Sequence, residues 1–297
     1  MKKKNIVFVS PIFFDYSLEV LKSLKKIFNN CFFIPSYKPG IYDRFSKKNK
    51  IKINSERVFR DISKIITRCD YFFMIHGKYI SHEKIIELKL LNPDCKFIMY
   101  QWDSIKNNTN IKHFLKIFDS SFSFDYVDCK NYRNLNYFPL FYKIKSKNEI
   151  TNVNKKVVFV GKYYKDRLQK LNNIWLKNNK NFNLDFKILV LSKFRYYLLK
   201  IRYIFNPNFS NFITNKALSY SDYISFIKDA QMIIDIGHKN QSGATIRTIE
   251  AIALNKRLFT FNEFILKDRY LKGSKINLIG NKNILNKNFK VKNVEFD

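Results

Sequence analysis

The most regular part of the chain reads DYFFMIHGKYISHEKIIELKLLNPDCKFIMY, from Asp70 to Tyr100. Two short apolar runs, Asp70–Ile75 and Lys96–Tyr100, flank a segment near His82–Leu91 whose apolar residues recur at helical spacing. Apolar runs without alternation are typical of strands that are buried on both faces. The stretch therefore predicts a strand–helix–strand unit of a parallel sheet that helices cover on both sides.

The same alternation continues on either side of this unit. Further strands are predicted at Ile6–Val9, Cys31–Ile34, Ser121–Phe124, Val157–Val160, Phe186–Leu191, Met232–Ile236 and Leu258–Phe261. A polar, lysine-rich stretch at 142–156 divides the series and reads as a linker. We therefore expect two doubly wound α/β domains, residues 1–145 and 146–297, with a ligand in the cleft where their strand ends meet.

The charge of the chain is strongly unbalanced. There are 55 Lys and Arg against 24 Asp and Glu, a formal net charge of +31. A field of this size attracts anionic lipid, nucleic acid or phosphorylated molecules, although a lysine-rich compositional bias is an alternative origin. The sequence has no pattern typical of a sequence-specific nucleic-acid module, so we expect no specific nucleic-acid partner.

Cysteine usage and hydropathy indicate a cytoplasmic protein. The four cysteines show no CxxC spacing, so neither a zinc site nor a disulfide framework is expected. The apolar run after the first lysines reads as a buried strand rather than a signal peptide. No apolar run approaches the roughly 18 residues that a spanning helix requires. Any contact with a membrane is therefore expected to be peripheral.

A segment from Lys193 to Phe205 interleaves basic and aromatic residues at near-helical spacing. Such a segment can lie in the headgroup region of an anionic membrane. Binding of single-stranded nucleic acid, or a helix that packs on the core and extends its lysines to solvent, are the alternatives.

The densest group of polar residues follows the strand that ends near Asp235 and reads DIGHKNQSGATIRTIEA (235–251). A glycine-containing loop opens a helix there, and free backbone N–H groups at a helix start form an anion site. The expected anion-site residues are Ser242, Gly243, Ala244 and Thr245. Arg247 can neutralise a phosphate, and Glu250 can accept ribose hydroxyls. An ordinary strand–loop–helix connection with a capped helix is the alternative.

Residues Ala230 to Thr260 resemble the donor-site segment of GT-B glycosyltransferases, in which a glycine-containing loop precedes a helix that bears a Glu followed by Ala. A second resemblance is carried by a WDS segment (102–104), an FDSSFSFD segment (118–125) and a PLF segment (139–141). In this order they are similar to the bacterial lipopolysaccharide-core and exopolysaccharide glycosyltransferase-like proteins. Together the two resemblances cover most of the chain from Asp70 to Thr260.

This family resemblance implies a GT-B fold, two Rossmann-like domains whose parallel sheets face a cleft. It implies a nucleotide-sugar donor, a UDP-sugar, with no permanently bound cofactor and no metal. Gly161, Lys162 and Arg167 would contact the donor phosphates, since the loop after the first strand of the second domain does so in GT-B enzymes. His238 is a further candidate in the donor-binding set and a third option as the base.

The expected acceptor side lies in the first domain. Asp15 follows strand one, where inverting GT-B enzymes place their general base, and His76 is the rival base. Trp102 offers a flat face for a sugar ring, and Asp103 can bind its hydroxyls. A structural role is the alternative for both residues, with Trp102 packing on a helix and Asp103 capping the next one. Both inversion and retention at the transferred carbon remain open.

The sequence thus predicts a glycosyltransferase that adds a sugar to a lipopolysaccharide or other surface-glycan acceptor. Its expected partners are a nucleotide-sugar, a glycan or glycolipid acceptor, and an anionic membrane surface at the inner face. The alternatives are a basic α/β protein that binds nucleic acid, and a non-catalytic sugar-binding relative.

Overall fold

A computed structural model describes residues 4–12, 16–37, 47–143, 156–271 and 275–285. Asp15, proposed above as a general base, lies outside these residues, as does most of the expected linker. The chain divides into two compact units, one formed by residues 1–143 with 239–243 and one by residues 144–238 with 244–297.

The first unit is built on a six-stranded sheet. In chain order its elements are β1 (Ile6–Ser10), α1 (Tyr16–Ile27), β2 (Cys31–Pro35), α2 (Lys47–Ser63), β3 (Tyr71–Ile75), α3 (His82–Leu91), β4 (Lys96–Gln101), α4 (Ile111–Phe114), β5 (Ser120–Ser123), α5 (Tyr126–Asn131) and β6 (Asn136–Tyr137). The strand order is β2-β1-β3-β4-β5-β6, and every pairing is parallel. The chain therefore reverses its direction of winding between β1 and β3.

The second unit repeats this plan. Its elements are β7 (Lys156–Lys162), α6 (Lys165–Asn178), β8 (Asn183–Leu189), α7 (Lys193–Arg202), α8 (Pro207–Ser210), β9 (Ile213–Thr214), α9 (Tyr220–Lys228), β10 (Met232–Asp235), α10 (Ile246–Ala253), β11 (Arg257–Thr260) and β12 (Ile276–Leu278). The order β12-β11-β10-β7-β8-β9 is again wholly parallel. Here the reversal lies between β7 and β10.

The apolar runs that predicted the strands form the two cores. Phe72, Met74 and Phe97 are fully buried in the first unit, and Phe159 and Phe186 are fully buried in the second. Side chains on both sides of the central strands are covered, because β1 and β10 are buried along their whole length. The expected doubly wound α/β class is therefore what the structure shows.

The sequence misplaced some boundaries. The strand expected at Phe186–Leu191 begins at Asn183, because its backbone pairs with β7 from Lys156 onward and that pairing does not depend on an apolar side chain. The two-residue strand β9 and the edge strand β12 were not anticipated, since they are too short to give a hydropathy signal. Among the helices of the described ranges, none has the length and apolar character that a membrane crossing requires.

Candidate functional site

The winding reversal in the second unit carries a buried carboxylate. Asp235 is the last residue of β10 and is fully buried. Its Oδ1 accepts from Arg247 Nε at 2.9 Å and lies 2.9 Å from Arg247 Nη2, and its Oδ2 accepts from Thr248 Oγ1 at 2.9 Å. Both partners lie in the first turn of α10. In doubly wound sheets this edge, at the carboxyl ends of the strands beside the reversal, is where ligands bind.

A second guanidinium lies beside this pair. Arg167 on α6 is buried, and its Nε donates to the carbonyl of Ile236 at 2.9 Å while Nη1 donates to the carbonyl of Lys162 at 2.7 Å. Its guanidinium carbon lies 4.7 Å from the ring centre of Tyr164. Within the part of the chain that the structure describes, no carboxylate forms an ion pair with Arg167.

Among the described residues, Asp235 is the carboxylate whose charge acts on both arginines, because it forms an ion pair with Arg247 and lies near Arg167. Burial, and then the nearby charge of Arg247, lower the pKa of Arg167 to about 10. Arginine side chains are charged at neutral pH, so the cluster of Arg167, Arg247 and Asp235 holds one surplus positive charge in a largely dry setting. An anion that docks here supplies the missing negative charge, and a guanidinium fork matches the geometry of a phosphate.

The end of β7 closes one side of this cluster. Arg247 Nη1 donates to the carbonyl of Val160, and its guanidinium carbon lies 4.9 Å from the ring centre of Phe159. A Cβ on Gly161 would lie 2.8 Å from Arg247 Nη1, so a glycine is needed for the arginine to reach this carbonyl. Lys162, the next residue, is exposed, and its ammonium makes no polar contact among the described residues.

His238 completes this group, because its ring packs edge-to-face on Tyr164 at 5.3 Å, the same ring that lies under Arg167. The structure thus brings together five of the residues that the sequence selected for donor binding. They are Gly161, Lys162, Arg167, His238 and Arg247.

The loop before α10 corrects one expectation. The backbone N–H groups of Ser242 and Gly243 were expected to be open to an anion, but both donate to Asp125 Oδ2, at 2.7 and 3.3 Å. The hydroxyl of Ser242 donates to the other oxygen of the same carboxylate. A Cβ on Gly243 would lie 2.4 Å from the carbonyl oxygen of Phe124, so the glycine permits this close approach. These amides already hold a carboxylate of the protein itself.

The remaining residues of that turn have structural partners as well. Thr245 is the N-cap of α10 and accepts from the N–H of Thr248 at 3.3 Å, while Ala244 is buried. In the sequence, Asp125 stood out only as the last residue of the FDSSFSFD segment. Its role was missed because it lies 117 positions from Ser242, and no local pattern joins two such residues.

Glu250 also differs from its expected setting. It is fully buried, and its carboxylate accepts a short hydrogen bond from Tyr223 Oη and a longer one, 3.5 Å, from Tyr220 Oη. Burial, and then the charge of Glu250, raise the pKa of Tyr223 well above its usual value. Because Glu250 is fully buried, a ribose can reach its carboxylate only if the surrounding side chains move. The tyrosines could not be paired with Glu250 from sequence alone.

The first unit presents a histidine–aspartate pair at the carboxyl ends of β3 and β4. His76 adopts a left-handed backbone conformation with φ of 73°, followed by Gly77 at 55°. A Cβ on Gly77 would meet Met74 Cε at 2.7 Å, so this tight turn requires glycine. The turn brings His76 Nε2 to 3.7 Å from Asp103 Oδ2, a pair in which both side chains are about one-fifth exposed.

Asp103 is held as a carboxylate. Its Oδ1 accepts from the N–H of Ser104 at 3.0 Å and from Asn107 Nδ2 at 2.9 Å. Burial acts to raise the pKa of Asp103, but His76 and these hydrogen bonds outweigh it, and the pKa lies below its usual value. An ionised carboxylate that contacts one side of an imidazole orients the ring. The sequence treated His76 and Asp103 as separate candidates, and the structure makes them one pair.

Trp102 lies in an aromatic cluster. Its ring packs edge-to-face on Tyr100 and Phe141, with centroid distances of 6.0 and 5.9 Å. Within the described residues, no group of three or more His, Cys, Asp or Glu side chains is placed to hold a metal ion.

Comparison with known proteins identifies the fold. No family model and no curated protein sequence matches the chain. Among solved structures, the chain is similar to a UDP-forming α,α-trehalose-phosphate synthase from Burkholderia vietnamiensis, with a TM-score of 0.65 at 10% identity over 94% of this chain and 88% of that one. It is also similar to UDP-GlcNAc 2-epimerase from Neisseria meningitidis bound to UDP-GlcNAc, with a TM-score of 0.56 at 10% identity over 94% of this chain and 88% of that one. A third similar structure is MnaA of S. aureus in a co-structure with UDP, with a TM-score of 0.57 at 11% identity over 93% of this chain and 84% of that one. At these identities the likeness shows the fold alone, and the GT-B fold expected from the sequence is confirmed.

Proposed function

We propose that this chain is a glycosyltransferase that moves a sugar from a UDP-sugar to a lipopolysaccharide or other surface-glycan acceptor at the inner face of the cytoplasmic membrane. Residues 146–297 would bind the donor and residues 1–145 the acceptor. The protein would be cytoplasmic and peripherally bound to the membrane.

One observation carries this proposal. Arg167 and Arg247 lie beside the carboxylate of Asp235, which pairs with Arg247, at the strand edge where doubly wound sheets bind ligands. The surplus charge fits the diphosphate of a sugar nucleotide, which becomes more negative at its bridging oxygen as the bond to the sugar breaks. Groups that stabilise this developing charge lower the barrier to transfer.

The roles follow from this chemistry. In the transfer, the bond between the sugar carbon and the diphosphate oxygen breaks, a bond to the acceptor oxygen forms, and the acceptor hydroxyl loses its proton. Arg167, Arg247 and Lys162 would hold the departing diphosphate. His76, oriented by Asp103, would accept the proton, with Asp15 as the alternative base. The solved structures with UDP or UDP-GlcNAc bound show that proteins of this fold accept such ligands, which supports the choice of nucleotide.

Calorimetric titration with UDP, UMP and uridine tests the donor site. We expect UDP to bind most tightly and uridine most weakly, because the diphosphate supplies the missing charge. Arg167→Gln should weaken UDP binding by about 10- to 100-fold, the loss of a charge-assisted hydrogen bond. Lys162→Gln, at an exposed position where folding is not at risk, should weaken it by about fivefold.

Lys180→Gln is the matched control. It removes the same charge from an exposed position that lies after α6, at the opposite end of the strands, and should leave the affinity unchanged. The proposed site is wrong if uridine binds as tightly as UDP, or if Arg167→Gln and Lys162→Gln both bind UDP like the native chain.

The reaction itself needs a separate measurement. Incubation with a panel of UDP-sugars and extracted glycolipid should release UDP only when acceptor is present, and His76→Gln should abolish the release. Conversion of UDP-GlcNAc to its C2 epimer without acceptor would replace transfer with epimerisation. Binding of UDP without turnover of any donor would indicate a non-catalytic relative, and tight binding of oligonucleotides that UDP does not displace would favour a nucleic-acid function.

A further inference from the structure

The exposed side of α7 is unusually apolar. Within residues 191–205, seven large hydrophobic side chains are between 49% and 98% exposed. They are Leu191, Phe194, Tyr197, Leu198, Ile201, Ile204 and Phe205. We call this surface the α7 face. Phe194, Tyr197, Leu198 and Ile201 follow the i, i+3, i+4, i+7 spacing of one helix side, so they form a continuous stripe.

The opposite side of the helix already packs on the core of the second unit. Leu199 is buried there, and Tyr196 and Tyr203 pack against the same core. Lys200 faces inward as well, with its ammonium donating to the carbonyl of Ser210 at 2.6 Å. The α7 face is therefore a second apolar surface, additional to the one that fixes the helix on its unit. Large exposed apolar surfaces of this kind mark sites of contact with a membrane or another molecule.

The positive charges around the α7 face favour an anionic partner. Lys193, Arg195 and Arg202 flank the stripe, and the sequence has no Asp or Glu between Leu191 and Phe205. Arg195 and Arg202 make no ion pair within the described ranges, so their guanidinium groups are available to an anion. Aromatic and aliphatic side chains beside unpaired cations are the composition of helices that lie in a lipid headgroup layer.

We propose that the α7 face docks on the surface of an anionic lipid bilayer, with Phe194, Ile201 and Phe205 inserted among the acyl chains. The flanking cations would contact lipid phosphates. This names the membrane partner within the proposed function, but it concerns a surface distinct from the donor site and can be tested without turnover.

The α7 face lies near the edge of the sheet where we place the donor. The helix α7 begins after β8 ends, so its first turn lies at the carboxyl edge of the sheet, and Arg195 contacts the ring of Tyr163 next to the end of β7. Arg167 and Arg247 lie at the same edge of the same sheet. A membrane that holds the α7 face is therefore adjacent to the strand ends where we place the donor.

Vesicle co-sedimentation of the full chain tests the proposal. We expect binding to vesicles of phosphatidylcholine with phosphatidylglycerol, and far weaker binding to phosphatidylcholine alone. The triple variant Phe194→Ser, Ile201→Ser, Phe205→Ser should weaken binding by at least about 100-fold, because three inserted apolar side chains are lost. Replacing Lys193, Arg195 and Arg202 by Gln should weaken it by roughly fivefold for each cation removed.

The high net charge of the chain makes a matched control necessary. Ile86, Leu90 and Leu91 on α3 are also exposed apolar residues, and their replacement by Ser should leave vesicle binding unchanged. Insertion is distinguished from adsorption with brominated lipids: after subtraction of the native tryptophan signal, Phe194→Trp should be quenched and Leu90→Trp should not.

The proposal is overturned if both triple Ser variants lose binding equally, if Phe194→Trp is not quenched, or if the α7 variant changes only the oligomeric state of the protein in solution. UDP affinity, measured in parallel, should be the same in the α7 variants as in the native chain. A loss of vesicle binding with intact UDP binding supports the α7 face, whereas a native chain that inserts in lipid but does not bind UDP refutes the donor site alone.

Discussion

Asp125 gives the sharpest test of how the loop before α10 is held. Its carboxylate is buried. One oxygen accepts from the N–H groups of Ser242 and Gly243, and the other accepts from the hydroxyl of Ser242 and the N–H of Asp128. In Asp125→Asn, an NH₂ group replaces one oxygen, so up to two of these four donors lose their acceptor. Each buried donor left without a partner costs about 1–3 kcal/mol. Relief of the repulsion between Asp125 and Asp128 offsets part of this, and we expect a net loss of about 3 kcal/mol in the local opening free energy.

Hydrogen exchange of the amides at 242 and 243 is the appropriate assay. A chain with two compact units need not unfold in one step, so a melting temperature would mix this local effect with others. A loss of about 3 kcal/mol corresponds to exchange roughly 100-fold faster at these two amides. Ser242→Ala, which keeps the carboxylate, should accelerate exchange by about tenfold or less.

Two results would refute this reasoning. Unchanged exchange at 242 and 243 in Asp125→Asn would mean that the carboxylate does not hold these amides. A large gain in UDP affinity in the same variant would mean that the amides bind phosphate once the competing carboxylate is weakened, as the sequence first suggested. We expect UDP affinity to stay within about twofold, because the anion site that we propose is formed by arginine side chains.

Further predictions concern buried charges and close approaches. Asp235→Asn should lower the free energy of unfolding by about 3–5 kcal/mol in chemical denaturation, because it leaves two guanidinium groups without a countercharge. Gly243→Ala should strongly reduce the yield of folded protein because its Cβ would collide with the carbonyl of Phe124, whereas Gly280→Ala, where a Cβ meets nothing within 4 Å, should fold normally. Burial raises the pKa of Asp128 to about 6, so ionisation of this group destabilises the folded chain as the pH rises from about 4 to 6. Asp128→Asn should therefore be more stable than the native chain at pH 7 in urea titration, with the difference shrinking as the pH falls from about 6 to about 4. An equal difference at all pH values would contradict the assignment.

The strands and helices were predictable because their signals are local. The helix expected near His82–Leu91 begins and ends at those residues, since Ser81 provides an N-cap that accepts from Lys84 and the apolar spacing stops at Leu91. Apolar runs locate buried strands in the same way, by composition alone. Boundaries fail where backbone pairing with a neighbour, rather than side-chain character, decides where a strand begins, as at Asn183.

The candidate site was predictable in its members but not in its contacts. The apolar run before His76 indicates that this residue follows a buried strand. Its proximity to Asp103 depends on the parallel register of β3 and β4, which the sequence does not show. Asp235 was visible as a charged residue at the end of an apolar run. A charged residue at the end of an apolar run is the one local signal that a buried carboxylate gives. The pairing of Asp235 with Arg247 could be seen only in the folded structure.

The structure also separates functional from compositional charge. In a chain with 55 basic residues, an exposed lysine is weak evidence for a binding site, because water solvates its charge at almost no cost in free energy. A buried guanidinium is different, since its desolvation must be offset by a partner. In the described residues, the basic residues that are almost completely buried are Arg57 and Arg167, and Arg57 lies 3.3 Å from the carboxylate of Asp61. Arg167 makes its hydrogen bonds to carbonyl groups, and the one nearby carboxylate in the described ranges, Asp235, already pairs with Arg247. Compositional bias can add lysines to a surface, but it does not account for two guanidinium groups beside a single carboxylate, whereas an anionic ligand does.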